Sequence, residues 1–227
     1  MANAFTPRLD ILPLPQQRLW GELIDVPGDF VLYGGTAIAL QLGHRQSVDF
    51  DFFGDAAFKP DELLDQIPFL DEAEVMQRDA NTLTCLIDRG GPVKVSFFGV
   101  PRIGRVDEPL VAADVELRVA SLRDLAGMKA NVVQLRSEAK DYLDMAALIA
   151  HGIDLPTALS AAGIIYGRSF NPQNALKALA YFGDGDLPSL PAATRKLLQE
   201  SVRAVDLDKL PRLTPVRKQA AKREPGQ

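Results

Sequence analysis

The chain has few residues that could build covalent or metal cross-links. Its 227 residues include one cysteine, Cys85, and two histidines, His44 and His151. A single cysteine excludes an intramolecular disulfide and any multi-cysteine metal centre. The two histidines offer neither a metal cluster nor a triad. Ser47, Ser169 and Cys85 lack a sequence-evident base, which argues against a hydrolase. No apolar run approaches the roughly 18–20 residues of a membrane span. The first eight residues also lack the apolar stretch of a signal peptide, so the expectation is a cytoplasmic protein with no membrane partner.

Positive charge is not in excess either. With 25 Lys and Arg against 30 Asp and Glu the formal net charge is −5, so the chain is no generally cationic nucleic-acid binder. The one basic patch is terminal (Arg212, Arg217, Lys218, Lys222 and Arg223), and it reads as a solvated, flexible tail over 206–227. With 47% hydrophobic and 24% charged residues, the composition suits one large or two small domains with real cores.

What is present is concentrated between Phe30 and Phe53. Phe30 to Tyr33 is short, apolar and bounded by turn residues, as in a buried strand. Gly34-Gly35 then form a turn ahead of a helix over Thr36 to Leu42, with Gly43 as its terminator. Ser47 to Phe53 reads as a second strand. On it Val48, Phe50 and Phe52 share an apolar face, while Ser47, Asp49 and Asp51 share the other, because side chains alternate.

Helix N-termini bind phosphate through free backbone N–H groups and the positive end of the dipole. Gly34 and Gly35 would let that backbone approach closely. Thr36 could add a hydroxyl, and Arg45 a charged fork. Asp49 and Asp51 are hard oxygen ligands suited to Mg²⁺ or Mn²⁺, with NTP phosphates completing the shell.

Further along, Pro15 to Val26 and Pro60 to Ile67 read as helices, and Thr82–Asp88 and Pro92–Phe98 as a hairpin around Arg89-Gly90-Gly91. Strands mixed with short helices indicate an α+β domain over 1–118, a mixed sheet with flanking helices. From Ser121, a plausible N-cap, the pattern turns helical. Helices are expected at about 121–136, 138–151, 155–162, 172–182 and 191–204, with Gly152 and Gly183 as stops. This gives a helical bundle over 119–205.

The Gly-Gly, thirteen-residue spacer and Asp-Phe-Asp resemble the signature of the nucleotidyltransferase superfamily with the DNA polymerase β-like fold. More narrowly, YGGTAIALQLGHRQSVDFDFFG (33–54) is similar to the AbiEii/AbiGii toxin family of bacterial nucleotidyltransferases. Met128-Lys129-Ala130 and Lys140-Asp141-Tyr142-Leu143-Asp144 also resemble that family's later motifs. The resemblance covers about Phe30 to Ala150.

It implies that Lys129 touches the NTP phosphates and that Asp141, supported by Asp144, completes the catalytic set Asp49, Asp51, Lys129 and Asp141. The implied nucleotide-binding residues are Gly34, Gly35, Thr36, Arg45, Ser47 and Lys129. A metal-dependent transfer from an NTP to RNA (tRNA included), protein or a small molecule is implied, in a toxin–antitoxin or phage-defence pair with a cognate antitoxin.

One position departs from the pattern. Where the superfamily carries a third carboxylate on a later strand, often as general base, Val93-Lys94-Val95-Ser96-Phe97-Phe98 places Ser96. Serine neither binds Mg²⁺ strongly nor accepts a proton at neutral pH. The expectation is therefore a slow enzyme. The alternatives are a catalytically weakened NTP-binding or interaction module, and a small-molecule, antibiotic-type transferase.

Overall fold

Strands and helices alternate as far as Gln66, and five strands then follow in succession. The computed structural model describes residues 3–101 and 103–216. In order they form β1 (Ala4–Phe5), α1 (Leu14–Trp20), β2 (Phe30–Tyr33), α2 (Gly34–Leu42), β3 (Phe50–Gly54), α3 (Pro60–Gln66), β4 (Glu74–Asp79), β5 (Thr82–Asp88), β6 (Pro92–Gly99), β7 (Leu110–Ala112) and β8 (Leu117–Val119). Helices alone follow: α4 (Leu122–Val132), α5 (Ala139–Ala150), α6 (Leu155–Tyr166), α7 (Pro172–Ala180) and α8 (Ala192–Arg203). The eight strands make one mixed sheet in the order β1-β7-β8-β2-β3-β6-β5-β4. This is the α+β arrangement expected, a mixed sheet with helices and a helical C-terminal half.

The sheet's centre explains where chemistry can sit. β3 runs antiparallel to β2 and parallel to β6, which places Asp51 opposite both Tyr33 and Ser96. Phe50, Phe52, Val93, Val95 and Phe97 are buried on one face, and the Phe52 and Phe97 rings stack at 5.1 Å. Alternation then puts Asp51, Phe53, Lys94, Ser96 and Phe98 on the other face. One contiguous apolar core includes sheet residues such as Leu32 and helical residues such as Leu148, Leu159 and Leu198.

Several boundaries differ from the sequence reading. β3 begins at Phe50, so Ser47 to Asp49 precede the strand. β2 ends at Tyr33, where the chain turns into α2, and leaves no backbone there for residues 47–49 to pair with. Their carbonyls find other donors: Gln16 Nε2 donates to Val48 O at 3.0 Å, and Thr36 Oγ1 donates to Asp49 O. Val48 consequently lies 49% exposed instead of packing beside Phe50.

The helices shift as well. α2 includes both glycines as its first residues, and Gly43 ends it in the left-handed region at φ 67. Helix α4 is capped by Ser121, whose Oγ accepts from the Asp124 N–H, but it stops at Val132. α7 ends at Ala180, because Tyr181 is extended, so Gly183 does not terminate it. Residues beyond α8 continue through a single turn at Leu207–Lys209, and the Val216 N–H donates to Arg105 O at 2.9 Å. Arg217, Lys218, Lys222 and Arg223 lie outside the described residues.

Candidate functional site

The N-terminus of α2 forms the floor of the site. Gly34 has φ 76, and a Cβ there would stand 3.0 Å from Asp51 Oδ2. A left-handed residue in that tight space requires glycine. At Gly35 a Cβ would collide with the Arg45 guanidinium and lie 3.1 Å from Asp144 Oδ2. Thr36 is 1% exposed, and its hydroxyl is 2.8 Å from Ser47 Oγ as well as bonded to the Asp49 carbonyl. That hydroxyl therefore pins the chain just before β3. It faces the backbone, where the sequence leads one to expect a phosphate.

Asp49 and Asp51 follow on this fixed segment. Burial, then the neighbouring Asp49 charge, pushes the Asp51 carboxyl above its ordinary value; Lys94, a hydrogen bond from Ser96 and Lys129 oppose the rise. Lys94 Nζ lies 3.2 Å from Asp49 Oδ2. Two close carboxylates that favour a neighbouring cation fit a divalent ion. Among the described residues no group of three or more His, Cys, Asp or Glu could hold a metal. Such an ion would therefore need further ligands, such as the phosphates of a nucleotide.

Behind the opposite wall lies a buried ionic network. Lys129 Nζ on α4 donates to Asp141 Oδ1 and lies equally close, 2.6 Å, to Asp144 Oδ2. Both carboxylates are on α5, one turn apart, and neither side chain is exposed. Asp144 also receives Arg45 Nε at 2.6 Å and Nη2 at 2.9 Å, with His44 Nε2 at 2.7 Å. Burial alone would raise the Asp144 carboxyl. The hydrogen bonds from His44 and Arg45 and the Lys129 charge outweigh it and hold the group far below the usual range. Asp141 behaves alike: burial is outweighed by Arg136 and Lys129, and its carboxyl is lowered. A charge so buried is tolerable only when paired and hydrogen-bonded.

These walls enclose a cavity of about 580 Å³. Gly34, Gly35, Thr36, Arg45, Ser47, Asp49, Asp51 and Lys129 all line it. Asp141 does not line it: it reaches the cavity through Lys129 and Arg136, which do, and so positions those groups. Asp144 acts the same way on Arg45 and Lys129.

Sequence reasoning missed Lys94, Arg136, Lys140 and His44. Lys94 was legible, since it lies two residues from Ser96 on the same strand face. The pairings of Arg136 and His44 carried no local signal. Five cationic side chains (Arg45, Lys94, Lys129, Arg136 and Lys140) and two carboxylates therefore line the cavity wall, which puts cationic donors within reach of a polyanion despite the chain's acidic total. Phe53, Phe98, Leu125, Met128 and Val132 add an apolar section.

Comparison with known proteins settles the lineage. Residues 22–213 match the nucleotidyl transferase AbiEii toxins of type IV toxin–antitoxin systems. The chain belongs to the AbiEii toxin family. Membership implies, in general terms, an NTP substrate and a cognate antitoxin. The uncharacterized protein aq_aa25 of Aquifex aeolicus (strain VF5) is 32% identical over 164 residues, which cover 71% of this chain and 77% of that protein.

Two solved structures are similar to this AbiEii chain. One is MenT4, a nucleotidyltransferase toxin of Mycobacterium tuberculosis H37Rv: TM-score 0.53, 15% identity, 86% of this chain and 90% of that one. The other is a candidate nucleotidyltransferase from H. pylori: TM-score 0.50, 16% identity, 83% and 92%. At such low identity they speak for the nucleotidyltransferase fold alone. No single helix among the described residues is long and apolar enough to cross a membrane.

Proposed function

We propose that this AbiEii protein is a metal-dependent nucleotidyltransferase, the toxin of a toxin–antitoxin or phage-defence pair, acting in the cytoplasm. The observation that carries the reading is the meeting, in one cavity, of a glycine-opened helix N-terminus, two carboxylates and five cations.

In this reading the first turn of α2 receives the β- and γ-phosphates, with Lys129 and Arg45 supplying charge held rigid by Asp141 and Asp144. Asp49 and Asp51 hold Mg²⁺ or Mn²⁺, which when bound neutralises developing phosphate charge. An acceptor oxygen bonds to the α-phosphorus, the bond to the β-phosphate oxygen breaks, and pyrophosphate leaves. Ser96 cannot take the acceptor's proton, so it passes to water or to a substrate phosphate oxygen. General-base help is worth about 10²–10⁴-fold, which makes this a slow enzyme. The acceptor is RNA (tRNA included), protein or a small molecule.

Ser96 also favours a second reading, a module that binds NTP without turnover. Incubation with each α-labelled NTP, Mg²⁺ or Mn²⁺, and total RNA, cell protein or an aminoglycoside separates the readings. Label on RNA or protein supports the toxin, and label on the aminoglycoside an antibiotic-type transferase. No label anywhere, with a thermal shift on adding NTP, supports the binding module. Asp49→Ala should abolish transfer and leave the fold intact; persistence of transfer would discard the site assignment.

A further inference from the structure

Four of the five cavity cations are held by carboxylates that do not line the cavity. Lys129 meets Asp141 and Asp144, Arg45 meets Asp144, Arg136 meets Asp141 and Glu138, and Lys140 meets Glu138. Arg45 and Lys129 meet carboxylates with no exposed surface and are fixed before any ligand arrives, whereas the Lys140–Glu138 pair is open to water, at 49% and 42%. Lys94 differs. Among the described residues it alone of the five pairs with a carboxylate of the cavity wall, Asp49, at 3.2 Å. The pair is half open to water, with side-chain exposures of 45% and 33%, and ion pairs of that kind are weak and easily exchanged. Its place follows from β6: Lys94 is two residues from Ser96, which lies opposite Asp51 in the β3–β6 register. A four-carbon stem from that strand position can swing along the cleft.

We propose that Lys94 is a movable counter-ion that couples divalent-metal binding to nucleotide. Without nucleotide its ammonium neutralises Asp49 and competes with a divalent cation for that carboxylate. A triphosphate offers Lys94 a stronger anionic partner. The ammonium then moves to the phosphates and frees Asp49 for the metal. The inference rests on the Asp49–Asp51 metal assignment above.

Mn²⁺ binding, followed by electron paramagnetic resonance with and without non-hydrolysable α,β-methylene NTP analogues, tests it on the full chain. Wild type should bind Mn²⁺ weakly alone and much more tightly with an analogue. Lys94→Met should bind Mn²⁺ alone about fivefold more tightly, the upper range for an exposed ion pair, and its tightening on adding an analogue should shrink by at least that factor, the phosphates still supplying ligands. Lys94→Arg, which keeps the charge, should behave as wild type. Circular dichroism checks that each variant is folded. Unchanged or weaker Mn²⁺ binding by folded Lys94→Met, beside normal analogue-dependent binding by wild type, overturns the Lys94 proposal and leaves the metal site standing. Wild type that binds no Mn²⁺ even with every analogue overturns both.

Discussion

The Arg45 guanidinium grips the Asp144 carboxylate in a two-point fork, Nε to Oδ1 at 2.6 Å and Nη2 to Oδ2 at 2.9 Å. The pair joins the loop after α2 to helix α5 across 99 positions of sequence. Planar bidentate pairs of this type fix direction as well as charge. The fork therefore sets both the height of Arg45 above Gly35 and the docking of α5 on the sheet domain.

Gly35→Ala tests the first consequence. Its Cβ would displace the Arg45 fork, whereas alanine's better helix propensity favours α2 by about 1 kcal/mol. NTP-analogue affinity, measured calorimetrically, should fall by tenfold or more, the scale of one lost charged hydrogen bond at about 1.5–3 kcal/mol. The melting temperature should fall as well, because the displaced fork leaves the buried Asp144 carboxylate with fewer partners. Unaltered affinity would mean that Arg45 does not serve the phosphates.

Asp144→Ala tests the second. Removing one partner of a fully buried ionic network costs about 3–5 kcal/mol, and each kcal/mol lowers Tm by roughly 2–4 °C in a chain of this size. A loss of less than about 1 kcal/mol in urea unfolding would contradict the buried network.

The lowered carboxyls of Asp141 and Asp144 also give stability a pH dependence. Both are ionised in the folded chain at values below those of the unfolded chain. Their stabilisation is complete above the unfolded carboxylate pKa, near about 4, and is lost as pH falls toward the lowered folded values. Wild type should lose Tm steeply between about pH 4 and pH 2. Asp144→Asn, already weaker, should show a shallower slope.

Asp51 has the opposite sign. Its folded pKa is raised, so its favourable contribution holds below the unfolded value and is lost as pH rises through the folded one. Asp51→Asn should accordingly raise Tm at pH 7 while eliminating transfer. Differential scanning calorimetry on the metal-free protein checks this, and a lowered Tm would count against it.

Ser96→Asp would restore a third carboxylate opposite Asp51. It should lower Tm in chelator, since three close carboxylates repel, and recover stability with Mn²⁺. Labelled transfer should rise tenfold or more, toward the range of general-base assistance. A folded variant with no gain in rate would show that a third carboxylate opposite Asp51 is not what limits transfer.

Much of the Gly34 to Asp51 element was legible in the chain because its information is local. Gly34-Gly35 ahead of a helical run follows from backbone sterics, and the alternation from Phe50 onward from the two-residue period of a strand; the thirteen-residue spacer spoke only through its resemblance to a family signature. The hairpin of β5 and β6 and the helical character after Ser121 were readable for the same reason. The fully exposed strand β4 and the short β1, β7 and β8 were not, since they carry too few residues, or too little apolar alternation, to show a period.

Tertiary structure decided how the charges are shared. It turned the Thr36 hydroxyl onto the Asp49 carbonyl, started β3 at Phe50, and left Val48 in solvent. It placed Asp141 and Asp144 behind Lys129 and Arg45, and set Lys94 against Asp49. Each of these joins segments distant in sequence, and which groups meet depends on sheet register and helix docking. The residues by themselves placed a glycine-opened helix N-terminus ahead of two closely spaced carboxylates; the packed fold determined which cations meet buried carboxylates behind the cavity and which one meets Asp49.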